Sequence, residues 1–131
     1  EMEAFEGQRL LVVGGGDSAV ESAIGLANQH GTTVTLSYRG SEFARVKDRN
    51  RDKLAAAVAA GRVEVLLGSV VTDIRRDVVV LEHEGTTRIL PNDTVIVRIG
   101  GEAAFPFLER VGVRIVKKEI IVHSDATEAA G

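Results

Sequence analysis

Residues 9–19 read RLLVVGGGDSA, and the fold turns on this stretch. Arg9 to Val13 is a short apolar run that breaks abruptly at Gly14, Gly15 and Gly16, the pattern of a buried parallel strand feeding a tight turn. From Ser18 onward the apolar positions Ala19, Val20, Ala23, Ile24 and Ala27 recur at helical spacing, and the pattern stops at His30 and Gly31. The segment Gly14-Gly15-Gly16-Asp17-Ser18-Ala19 therefore fits G-x-G-x-x-A directly after a strand and directly before a helix. The small residues each serve a physical purpose. Gly14 permits the sharp turn, Gly16 lets the backbone approach a pyrophosphate, and Ala19 lets the helix pack closely on the sheet. The helix N terminus adds N–H groups without intrahelical acceptors and a partial positive charge, both suited to phosphates. A strand-to-helix turn that merely needs small residues is the plainer reading of the same letters, but the strand, helix and second strand recur here at the intervals a dinucleotide site requires.

Working outward, Thr33 to Ser37 reads as strand two, Arg51 to Ala60 as an alanine-rich second helix closed by Gly61, and Arg62 to Leu67 as strand three. After Gly68 the period changes to strands separated by turns: Val70 to Arg75, Val78 to Glu82, a Glu84-Gly85 turn, and Thr87 to Leu90. Asp93 to Ile99 gives one more apolar strand, stopped by Gly100 and Gly101, followed by a short helix around Phe107 to Val111 and a last strand at Glu119 to Val122. The expected class is α/β: a Rossmann-like parallel sheet flanked by helices, with a three-stranded antiparallel β-meander. With 131 residues, 44% of them hydrophobic, the chain suits a single domain, 1–131, with a real core and no room for a second of similar size.

Composition narrows the chemistry. The formal charge of -3 argues against a nucleic-acid binder, so any anion specificity must be local. With no cysteine, the chain can hold neither a redox-active thiol pair nor a thiolate metal site, and redox chemistry must run through a cofactor. His30, His83 and His123 are scattered, with no pairing that suggests metal ligands or a nucleophile's base. Apolar runs such as Leu10 to Val13 fall far short of the roughly 20 residues of a membrane span, and no signal-peptide pattern opens the chain, so the expected location is cytoplasmic.

Cofactor choice is read at the end of strand two. NAD-selective sites usually place an acid there to accept hydrogen bonds from the adenosine ribose, yet Val34 to Gly40 contains none. The strand runs instead into Tyr38 and Arg39, and the next loop supplies Arg45. Residues 39–53 carry six basic and three acidic side chains, a local surplus of three on a chain of net charge -3. A 2′-phosphate would be neutralised by such a patch, and arginine's planar fork suits it, so NADP(H) is favoured over NAD with Arg39 and Arg45 as its readers. A solvated helix and loop surface accounts for Arg49, Arg51 and Lys53.

With GGGDSAVE, the basic strand-two loop, the meander and the ending DTVIVRIGGE in hand, the chain resembles the NAD(P)H-binding domain of the thioredoxin-reductase-like, FAD-dependent pyridine nucleotide-disulfide oxidoreductases over nearly all of residues 7–123. The resemblance implies that Gly14 to Ala19 binds the pyrophosphate. It matches the family's HRRxxxR motif for the 2′-phosphate only in part: Arg39 stands at its second arginine, Arg45 serves for the last after a longer loop, and Ser37 and Tyr38 replace the first two residues. Glu21, by resemblance, faces the nicotinamide side, with a solvated helix glutamate as the other reading. Ile99-Gly100-Gly101 is either the family's strand-end loop passing close to the cofactor or a plain strand terminator.

The resemblance also implies what lies elsewhere. The chain has no second glycine fingerprint for FAD, no later GD segment for the flavin ribityl chain and no CxxC. Since the family inserts its NADPH domain between two halves of an FAD-binding domain, the chain looks like an excised insert that binds without turnover, its partner being the FAD-binding domain of a parent protein. The opening at Glu1 and the small, polar stretch from Asp125 to Gly131 agree with that. A stand-alone NADP(H) sensor without catalysis is the alternative.

Overall fold

The computed structural model describes residues 5–43, 45–99 and 119–124. In chain order the elements are β1 (Arg9–Val13), α1 (Asp17–Ala27), β2 (Thr33–Tyr38), α2 (Asp48–Ala59), β3 (Val63–Leu67), β4 (Ser69–Ile74), β5 (Val78–His83), β6 (Thr86–Pro91), β7 (Thr94–Ile99) and β8 (Glu119–Ser124). Five strands form a parallel sheet in the order β3-β2-β1-β7-β8, and β4-β5-β6 form a separate antiparallel sheet. The helix expected around Phe107 to Val111 lies outside the described residues.

The central strands β1 and β7 are apolar on both sides because both faces are covered. Alternation sends Leu10 and Val12 of β1 to one face, where they pack with Ala19, Val20, Ala23 and Leu26 of α1 and with Leu54 and Ala57 of α2. Leu11 and Val13 point the other way and meet Val71, Ile74, Val79 and Leu81 of the meander. The described helices thus cover one face only, and the meander takes the place of helices on the other. Full burial of such a Leu or Val side chain stabilises the fold by roughly 1.5–3 kcal/mol, so the two clusters hold the sheet as a sandwich filling.

Several boundaries differ from the sequence expectation, each for a local reason. The first helix stops at Ala27 and not near His30, because the Thr32 hydroxyl donates to the carbonyls of Leu26 (2.7 Å) and Gln29 (2.9 Å) and turns the chain early. The second helix starts at Asp48, three residues before the expected Arg51, where Asp17 of α1 accepts from the amide of the preceding Lys47 (2.9 Å) and fixes the chain. The meander begins at Ser69, whose hydroxyl donates to Leu66 O (2.7 Å) and meets the Ser37 hydroxyl at 2.6 Å in the buried seam between the two sheets. At the amino edge of the sheet Arg9 grips Asp93 through two 3.0 Å bonds, which holds its guanidinium above the ordinary arginine range and ties β1 to the start of β7.

Candidate dinucleotide site

In this sheet the chain runs outward from β1 to β2 and β3 on one side, and to β7 and β8 on the other. The carboxyl ends of β1 and β7 therefore flank the point where strand order reverses, which is where open parallel sheets bind ligands. Gly14 sits at that point.

Three strands converge on it. The Gly14 amide donates to Ser37 O at the end of β2 (3.0 Å), and a Cβ at Gly14 would overlap the Arg98 carbonyl oxygen near the end of β7. The Gly14 φ of +146° is itself a value L side chains rarely adopt. The same imaginary Cβ would stand 3.0 Å from the Cβ of the fully buried Ala19, so the small residue at the end of the fingerprint is needed for helix and turn to meet. Gly15 is packed differently: a Cβ there would enter the ring of Tyr38. Gly16 is the N-cap of α1 in extended backbone, with no side chain capping the helix, and its carbonyl accepts the first helical bond from the Val20 amide (3.1 Å). The first turn of α1 thus begins beside Gly16 without a side-chain cap, and Ser18 there is half-exposed.

An acid in this first turn would repel a phosphate if it faced the same way. Asp17 does not: its Oδ1 accepts from the Lys47 amide (2.9 Å) and from Asn50 Nδ2 (2.8 Å), across to the start of α2. The Lys47 N–H, followed by the Asn50 amide, holds the carboxyl below its ordinary value of 3.8, so it stays ionised. Glu21, one turn later, is exposed and accepts from the same Asn50 amide (3.0 Å). Both acids of the first turns are directed to α2, and the buried Asn50 joins them.

The loop between β2 and α2 carries the basic residues. Tyr38 lies with its ring between Gly15 and Gly40 and stacks on Phe43, with centroids 5.6 Å apart and planes at 11°. Arg39 and Arg45 are exposed, and neither has a side-chain hydrogen bond or ion pair among the described residues. Ser37, at the family's first motif position, is buried and engaged with Ser69, so it faces the core. Ile99 is half-buried against the meander-side cluster; Gly100 and Gly101 lie outside the described residues.

Three contributors escape a reading of the sequence. Asn50 sits in a polar helix start, where only its poor helix propensity sets it apart. Arg51 reads as solvated surface, but its Nε donates to Val46 O (3.1 Å) and its Nη2 to Phe43 O, so its fork closes the loop. Arg98 offers a visible signal, a charge in the apolar strand TVIVRI; its Nε donates to the Ser22 hydroxyl (2.9 Å) and pins β7 to α1.

Known proteins share this fold. The sequence pattern of the family described as Pyridine nucleotide-disulphide oxidoreductase matches residues 1–130. The chain belongs to this family. Among relatives, a Ferredoxin--NADP reductase of Ignicoccus hospitalis is 36% identical over 126 residues, covering 91% of the chain and 39% of the relative. The Bacilliredoxin reductase Bdr of Bacillus subtilis is 32% identical over 111 residues, covering 83% of the chain and 34% of the relative. The solved Bacillithiol Disulfide Reductase Bdr of Staphylococcus aureus superposes with a TM-score of 0.71 at 28% identity, over 88% of the chain and 36% of that protein. A Lactococcus lactis thioredoxin reductase shares the fold, with a TM-score of 0.61 at 21% identity over 93% of the chain and 45% of its own. The chain thus spans less than half the length of each of these oxidoreductase relatives. No helix among the described residues is long and apolar enough to cross a membrane.

Proposed function

We propose that this chain is the NADPH-binding domain of a cytoplasmic, flavin-dependent oxidoreductase of thioredoxin-reductase type. The observation that carries the reading is the position of Gly14 to Ala19 at the carboxyl end of β1, against the Arg98 carbonyl at the reversal of strand order. The residues fit a dinucleotide: the uncapped N terminus of α1 suits a pyrophosphate, and Asp17 is turned away from it. Ser18 and the amides around Gly16 would hold the phosphates, and Arg39 and Arg45, exposed and without partners among the described residues, would take the 2′-phosphate. Ile99, Gly100 and Gly101 would border the nicotinamide half, while Glu21 is directed to Asn50 of α2.

When bound, NADPH supplies a hydride, and the acceptor in this reading is a flavin held by an FAD-binding domain outside the chain. What these residues contribute is binding and orientation. The test is calorimetric titration of the chain with NADPH and with NADH, alongside the variant Gly16→Val. The expected outcome is tighter binding of NADPH, with both ligands lost in the variant while its circular dichroism is unchanged. Equal affinity of Gly16→Val and the unmodified chain would overturn the assignment of the turn.

A further inference from the structure

We infer that Arg51 is a positioning residue for cofactor choice: by clamping the loop between β2 and α2 it presents Arg45 in a fixed place. The inference rests on the reading that this loop takes the 2′-phosphate. Arg51 is on the first turns of α2, and its guanidinium reaches back to two backbone carbonyls, Val46 O through Nε (3.1 Å) and Phe43 O through Nη2. Those carbonyls bracket Arg45 on either side. A rigid planar fork can satisfy two such acceptors at once, which a lysine ammonium on a flexible stem does poorly.

Other contacts complete the bracket. Before the clamp, the Tyr38 ring fills the space between Gly15 and Gly40 and stacks on Phe43, and the Gly68 amide donates to Gly40 O (2.9 Å). After it, the Lys47 amide and Asn50 are fixed by Asp17, a member of the glycine fingerprint. The loop is thus fastened at Gly40 to the β3–β4 corner and at Lys47 to α1. Between these points the described hydrogen bonds that gather it come from Arg51 alone. Removing the fork frees the segment on which Arg45 sits, so an ordering cost that the folded chain has already met would fall on NADPH binding. NADH, lacking the 2′-phosphate, would not bear it.

The experiment compares Arg51→Lys and Arg51→Ala with the unmodified chain, measuring Kd for NADPH and NADH by calorimetry and amide hydrogen exchange over residues 39–47. The expected result for Arg51→Lys is a loss of NADPH affinity of roughly three- to tenfold, NADH within about twofold, and faster exchange in the loop although the charge is kept. Arg51→Ala should match Arg51→Lys, because the clamp and not the charge matters. If Arg51→Lys retains the NADPH/NADH ratio while Arg51→Ala loses it, Arg51 acts as a charge and the positioning role is overturned. A ratio unchanged in both variants overturns it as well. The unmodified chain reports separately on the underlying reading: no preference for NADPH there removes the 2′-phosphate assignment, and with it this role for Arg51. A fall in NADPH and NADH affinity alike marks a general loss of structure and also overturns the proposal.

Discussion

The glycine turn and the basic loop stand side by side at the carboxyl edge of the sheet, yet they keep their shapes by opposite means. The turn is fixed from within, by the side chains it lacks: a Cβ at Gly14 would overlap the Arg98 carbonyl and crowd the fully buried Ala19. The loop is fixed from outside, by Arg51, Asp17 and an aromatic stack that its own backbone would not impose. A shape held by steric exclusion fails abruptly when an atom is added. A shape held by borrowed hydrogen bonds fails by degrees, and only for the ligand that uses it.

The largest effect should come from adding a side chain to the turn. Gly14→Val would force a β-branched residue to φ +146° and drive it into the Arg98 carbonyl, so a loss of about 2–5 kcal/mol in urea unfolding is expected. A stable, dinucleotide-binding Gly14→Val protein would show that the turn is not sterically fixed. Next comes the loop: Arg39→Ala with Arg45→Ala should weaken NADPH binding by on the order of 2–4 kcal/mol and leave NADH nearly unchanged, given roughly 1.5–3 kcal/mol per hydrogen bond to a charged group and a discount for exposure. Added salt should weaken NADPH more than NADH in the unmodified chain. Equal losses for both ligands in the double variant would erase the contrast between the two regions.

The smallest effect concerns the joint between them. The Asp17 carboxyl titrates below its unfolded value of 3.8, so its contribution to stability is complete above that pH and is lost as the pH falls toward the folded value. Asp17→Asn should therefore lower the unfolding midpoint at pH 7 and converge on the unmodified chain on acidification below about pH 3.8. A constant gap across that range would mean that the capping of Lys47 and the bond to Asn50 do not depend on the charge.

How much was legible depended on the distance over which each feature is decided. The strand Arg9–Val13, the turn and the meander were readable because alternation, glycine punctuation and apolar runs are local properties of the chain. The βαβαβ run from β1 to β3 was readable in the same way, whereas the place of β7 beside β1 was not, because β7 reaches the sheet from the meander. The end of α1 and the start of α2 each fall about three residues from where the pattern puts them, since the first depends on the Thr32 hydroxyl and the second on a carboxylate 30 residues away.

The strand-turn-helix unit, the absence of an acid at the end of β2 and the surplus of positive charge after it could be read from the chain alone, because each is a matter of which residues are present. Which of those charges are available depends on packing. Arg39 and Arg45 stand exposed while Arg51, identical in chemistry and six residues past Arg45, is engaged with backbone carbonyls; Asp17, inside the fingerprint, faces α2 and not the mouth of the turn. The physical reason is that a hydrogen bond between residues far apart in sequence needs both partners within about 3 Å, a condition met only once the sheet has brought α1, α2 and the loop together.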